Sequence, residues 1–173
     1  MLTDDLQQSF SNRLINGLVD DGVLRGSWAE ELVAHFLQAE PQRQWSYFDL
    51  KWRAYKVSVK HSVGNRARFD VEAKKSAWDY AQLASTGDGW REEKVATYWC
   101  DLYVFAHLAG DDSASPRLAD ILDPSAWTFA VCSKADMVTW FTGQKTASLN
   151  SLGAHVSFVP GEQLEAAAIA CTA

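Results

Sequence analysis

Asp49 stands in Tyr47-Phe48-Asp49-Leu50, between large apolar residues, where a carboxylate has little structural reason to be. Lys60 follows in Tyr55-Lys56-Val57-Ser58-Val59-Lys60-His61-Ser62, which alternates polar and apolar side chains. Period-two alternation marks a half-buried strand. It sets Lys56, Ser58, Lys60 and Ser62 on one face and Val57 and Val59 on the other. If the segment around Asp49 pairs with that strand, an acid and an ammonium converge at one end of a sheet. Metal-assisted phosphodiester hydrolysis needs these groups. A hard divalent cation takes carboxylate oxygens, acidifies water and neutralises phosphate charge, and an ammonium steadies the charge that develops on attack. Glu30, from a preceding helix, is placed to add a further ligand.

The elements that must position these groups follow from spacing. Leu6, Phe10, Leu14, Ile15 and Leu18 predict a helix over 5–19, capped by Thr3 or Asp4. Gly22 and Gly26 predict a loop, and Ser27 the cap of a second helix to about Gln38, with Glu30 and Glu31 near its start. Strands are expected over 45–50, 55–62 and 66–72, then a helical stretch over 76–83. The apolar run 97–108 predicts a central strand buried on both faces. A strand over 126–132, a Ser133-capped helix over 134–141, strands at 145–149 and 155–159 and a helix over 161–170 complete the chain. The pattern is α/β with a mixed central sheet flanked by helices, in one domain over 1–173.

Two blocks carry a resemblance. Gly26-Ser27-Trp28-Ala29-Glu30-Glu31-Leu32-Val33-Ala34 precedes Phe48-Asp49-Leu50 and Val57-Ser58-Val59-Lys60-His61-Ser62. Arg68-Phe69-Asp70-Val71 to Trp78-Asp79-Tyr80, Asp101 to Ala106, the Trp127 strand and Gly143-Gln144-Lys145-Thr146 extend it over roughly 25–165. The ordered series resembles the small bacterial and mobile-element proteins of the PD-(D/E)XK nuclease superfamily. The resemblance implies a restriction-endonuclease-like core, with Glu30 as helix carboxylate, Asp49 as first metal ligand and Lys60 as catalytic lysine. It implies Mg²⁺ or Mn²⁺ on Asp49 and Glu30, and DNA as substrate. Ser58 departs from the pattern, standing where the family has Glu or sometimes Gln. A neutral hydroxyl is a weaker ligand, and Glu31, Asp70 and Glu72 are the local acids that could stand in.

Plainer readings exist for each residue. Glu30 can complement a helix dipole, Asp49 can belong to a turn or ion pair, and Lys60 and Glu31 can face solvent. His61 falls on the face opposite Lys60 and is expected to pack. His35, His107 and His155 lack metal-ligand spacing, and the Trp and Tyr residues near 95–105 fit core packing better than base stacking. Asp101 interrupts the apolar run and reads as a buried partner for a basic side chain.

The chain has net charge −6, yet Lys51, Arg53, Lys56, Lys60, Arg66, Arg68, Lys74 and Lys75 fall within 25 residues that hold only Asp70 and Glu72 as acids. A basic block on an acidic chain is a candidate polyanion contact. Three distant cysteines give neither a disulfide framework nor metal-ligand pairs and fit a reducing cytoplasm. The start lacks a signal-peptide pattern, and no apolar stretch reaches membrane-spanning length. Gly87 and Gly89 make no phosphate loop, and no Gly-x-Ser-x-Gly occurs. Three functions remain: a Mg²⁺-dependent deoxyribonuclease, a catalytically impaired DNA-binding relative that has lost the strand acid, or a subunit that docks on protein, as a homodimer or in a larger complex.

Overall fold

The computed structural model describes residues 2–42, 46–111 and 115–172. The chain begins with helix α1 (Leu2–Asp20) and helix α2 (Gly22–Leu37). Strands β1 (Glu40–Pro41), β2 (Leu50–Trp52), β3 (Tyr55–Val63), β4 (Arg68–Asp70) and β5 (Lys74–Trp78) follow. Helix α3 (Tyr80–Thr86) leads to strands β6 (Trp90–Thr97) and β7 (Leu102–Leu108), then helix α4 (Leu118–Leu122). The remainder is β8 (Trp127–Ser133), α5 (Lys134–Phe141), β9 (Thr146–Ser148), α6 (Leu149–Gly153), β10 (Val159–Pro160) and α7 (Leu164–Thr172).

Six strands form one mixed sheet in the order β1-β2-β3-β7-β8-β10. Only the β3–β7 pair is parallel, and the others are antiparallel. All seven residues of β7 are buried. Its alternate side chains feed two cores. Leu102, Val104, Ala106 and Leu108 join Trp127, Phe129 and Val131 of β8 beneath α1, α2, α4 and α7. Tyr103 and Phe105 join Phe69, Met137, Phe141, Ala147 and Leu152 on the other side, where α5, α6 and the β4–β9 ribbon cover the sheet. On β3 only the first face is apolar, with Val57 and Val59 packed on α2 and Ser58 and Lys60 turned to the second.

Several expectations shift. Asp21, not Ser27, caps α2, its carboxylate accepting from Val23 N at 2.7 Å and Leu24 N at 3.4 Å. Gly22 and Gly26 therefore lie inside the helix, and Glu30 lies in its middle rather than its first turn. Gly26 is where the helix meets β3: a Cβ there would sit 3.2 Å from the His61 ring. Likewise α1 starts before Thr3 and Asp4, so neither caps it. The stretch 76–83 divides into the end of β5 and α3, and β6 is a strand not read from the sequence. It pairs with β5 as a separate ribbon and is almost wholly exposed. The strand expected over 45–50 begins at Leu50, and Trp45 falls outside the described residues. Ser133 caps α5 through a reciprocal capping box with Asp136, as read. Among the described residues no helix is long and apolar enough to cross a membrane.

Candidate active site

The β2–β3 hairpin turns through Arg53 and Ala54, with Trp52 opposite Tyr55, Lys51 opposite Lys56 and Leu50 opposite Val57. One step further the strands part. Asp49 N still donates to Val57 O at 2.9 Å, but the chain then leaves, and Tyr47 N donates to Trp78 O at 2.9 Å. From Val59 onward this edge of β3 pairs with no strand among the described residues. The Asp49 carboxylate fills the gap: Oδ2 accepts from Val59 N at 2.6 Å and from Ser58 Oγ at 3.2 Å. The N–H and C=O of one strand residue face the same side, so the Val59 carbonyl points to this open edge as well.

Three elements thus converge. Register places Asp49 beside Ser58, on the face that also carries Lys60. Gly26 brings α2 close to β3 at His61, and Glu30, one turn on, lies within reach of the Asp49 and Lys60 charges. Glu30 is the most perturbed of the set. Partial burial, then the Asp49 charge, raise its pKa from 4.5 to about 7, with Glu31 adding to the rise and Lys60 opposing it. Burial also raises Asp49, against the pull of Lys60 and the hydrogen bonds from Val59 and Ser58. Both acids feel the Lys60 ammonium, yet among the described residues it closes no ion pair within 4.0 Å. Ser58, only 5 % exposed, donates to Asp49 from the position where the resemblance expects an acid.

The candidate substitutes for that acid do not join the group. Asp70 and Glu72 line the same small cavity as Ser58 and Lys60, about 80 Å³ in volume. Both are drawn to Lys74, and neither figures among the charges acting on Asp49 or Glu30. Glu31 is exposed and acts only on Glu30. Among the described residues no three His, Cys, Asp or Glu side chains gather into a metal-holding group.

The basic block divides. Lys51 and Lys56 share the Ser58–Lys60 face, and Lys56 bonds the Tyr47 hydroxyl and lies 4.9 Å from its ring centroid. Arg53, at φ 54°, turns away to pair with Glu165 of α7 at 3.0 Å. Arg66 and Arg68 sit beyond the far end of β3, beside Ser62. Lys74 faces the cavity, and Lys75 is exposed on β5. Arg91, Lys94 and Lys134, outside the block, line a neighbouring groove together with Lys56. Nothing in their local sequence marks them, because only the fold gathers them.

His61 packs against α2, and burial with the Arg25 and Lys60 charges lowers its pKa. His107 is buried, 3.0 Å from the Gly64 carbonyl, and His155 stacks on Trp140. Tyr98 and Tyr103 are buried as expected, whereas Trp99 is half-buried. Asp101 corrects the sequence reading. It is exposed, and its carboxylate accepts from the Lys56 backbone N–H at 2.8 Å, pinning β3 beside β7. Comparison with protein-family models and with curated proteins returned no match to this chain.

Proposed function

We propose that this chain has a restriction-endonuclease-like core and hydrolyses DNA phosphodiesters with Mg²⁺ or Mn²⁺. The observation that carries the reading is the grouping of Glu30, Asp49 and Lys60, with Lys60 acting on both acids, Asp49 acting on Glu30 and Asp49 bonded to the edge of β3. Asp49 raises the pKa of Glu30 and burial raises both, a charge arrangement that a bound cation would relieve. Mg²⁺ commonly takes one or two carboxylates and keeps its waters. Asp49, Glu30 and the Val59 carbonyl fit that donor set. A bound Mg²⁺ would supply charge neutralisation at the phosphate and acidify water.

The remaining work belongs to the chain. Val59 N–H and Ser58 Oγ orient the Asp49 carboxylate, leaving its other oxygen for a ligand. Glu30 holds a proton about half the time near neutral pH and surrenders it when a cation arrives, so binding releases protons. Lys60, in no ion pair within 4.0 Å among the described residues, donates hydrogen bonds to the attacking water and to the oxygen that gains charge.

The test is cleavage of plasmid DNA and of single-stranded DNA in Mg²⁺ and Mn²⁺ by the wild type and by Lys60→Ala. Metal-dependent cutting that falls about a hundredfold in the variant agrees with the reading. Cutting at equal rates, or without added metal, removes it.

Ser58 favours a second reading, a nuclease-like fold that binds DNA without cutting it. A hydroxyl that donates to Asp49 adds no ligand charge. This reading predicts DNA binding that weakens with salt, no cutting by the wild type, and cutting gained by Ser58→Glu.

A further inference from the structure

An open groove of about 820 Å³ runs beside β6, edged by Lys56, Arg91, Lys94 and Lys134 and lined by Tyr47 and Trp99. Tyr47, Thr97, Tyr98 and Trp99 also line the cavity that holds Ser58 and Lys60, so groove and cavity share a wall. The Tyr47 and Trp99 rings meet edge to face with centroids 6.2 Å apart. The Arg91 guanidinium lies 5.7 Å from the first and 5.3 Å from the second. Glu92 and Glu93 share the groove, leaving four cations against two carboxylates. Arg91 spends part of its charge on Asp79 at 3.1 Å. Lys94, exposed on β6, and Lys134, exposed at the first position of α5, pair with no carboxylate among the described residues.

We propose that this groove binds a single DNA strand, its bases against Tyr47, Arg91 and Trp99 and its phosphates along the lysines, and delivers one phosphodiester to Lys60. The proposal rests on the hydrolytic reading above and narrows its substrate to unpaired DNA. Cationic grooves with aromatic side chains hold single strands because every unpaired base offers a π-face. A duplex keeps those faces inside its own stack, so the rings add nothing to duplex affinity. The cavity at Lys60, about 80 Å³, has room for waters and part of a phosphate but for no base pair. Two of the block's cations elsewhere are engaged, Arg53 with Glu165 and Lys74 with Glu72.

The experiment measures binding apart from cutting. Asp49→Asn protein in chelator is titrated by fluorescence anisotropy with labelled oligothymidylate of about 15 nucleotides and with the matching duplex. The single strand is expected to bind about tenfold tighter. Lys94→Glu with Lys134→Glu is expected to weaken it at least about tenfold and flatten its salt dependence. Arg53→Gly, on the far side of the hairpin, leaves the affinity unchanged. Should Lys134→Glu disturb α5, Lys94→Glu alone carries the test from the exposed ribbon. Equal or tighter duplex binding, no binding of either, or full affinity in a folded Lys94→Glu variant overturns the proposal. Because the hydrolytic reading is scored by cutting in Mg²⁺, a duplex cutter with an idle groove loses only the single-strand proposal.

Discussion

β3 and β7 lie side by side in parallel register, Val57 beside Leu102 through Val63 beside Leu108, yet they are built for different ends. β7 is buried on both faces and paired on both edges. β3 gives one face to α2 and spends the other on Ser58, Lys60 and Ser62, and from Val59 onward its outer edge pairs with no strand among the described residues. Fully burying a large apolar side chain contributes about 1.5–3 kcal/mol, which β7 collects on both faces and β3 on one. What β3 forgoes in packing it holds as the Lys60 ammonium, the Ser58 hydroxyl and an edge that binds the Asp49 carboxylate in place of a strand. The teaching is local: adjacent strands of one sheet divide stability and chemistry between them.

The sharpest way to break that contrast is to truncate each strand in turn. Phe105→Ala, on β7 against Phe69, is expected to cost about 3–5 kcal/mol in chemical denaturation. Lys60→Ala is expected to leave unfolding nearly unchanged while lowering metal-dependent cutting about a hundredfold, close to 2.7 kcal/mol of transition-state stabilisation. A Lys60→Ala protein as destabilised as Phe105→Ala would make β3 a second structural strand.

Glu30 sharpens the comparison through pH. Its folded pKa of about 7 exceeds its ordinary 4.5, so the native state holds the proton more tightly. The stability this gives is fully present below pH 4.5, declines as pH rises, and is lost above about 7. Glu30→Gln removes that slope. After allowance for solvent screening of a partly exposed group, it should stabilise the metal-free protein by about 1–2 kcal/mol at pH 8 and scarcely at pH 4. Thermal melts at both pH values check this, and an unchanged slope would show that neither burial nor Asp49 raises the Glu30 pKa. Ser58→Glu works in the opposite sense. A third buried acid should lower the metal-free melting temperature and raise Mn²⁺ affinity.

Arg53→Gly has the smallest expected effect. Glycine relieves the left-handed φ of 54°, while the pair with Glu165 and the contact with Trp52, 4.5 Å away, are lost. The net is expected within about 0.5 kcal/mol in denaturant titrations, with cutting unchanged. A large loss of cutting would put the hairpin tip into the site.

The sequence made β3 and β7 legible because each obeys a single rule, period-two alternation in one and an unbroken apolar run in the other. Ser133 was legible because its capping box is complete within four residues. Asp49 and Lys60 stood out for the same local reason, a charge set where the pattern asks for none. Glu30 was found as a residue but misplaced as a first-turn acid. Gly22 and Gly26 looked like a break, while Gly26 in fact serves the close approach to His61. β6 was hidden because Trp-Arg-Glu-Glu-Lys-Val-Ala-Thr has no buried face to impose alternation. Arg91, Lys94 and Lys134 were hidden because they lie outside the basic block, in two distant stretches that only the fold brings beside Lys56.

The account turns on a cation site shared by Asp49 and Glu30, and a Mn²⁺ titration followed by electron paramagnetic resonance measures it without reference to any substrate. Wild-type protein should show one saturable site that tightens as pH rises through about 7, as the Glu30 proton is displaced, and Asp49→Asn should abolish it. Binding that is absent, indifferent to pH, or undiminished in Asp49→Asn would contradict the account.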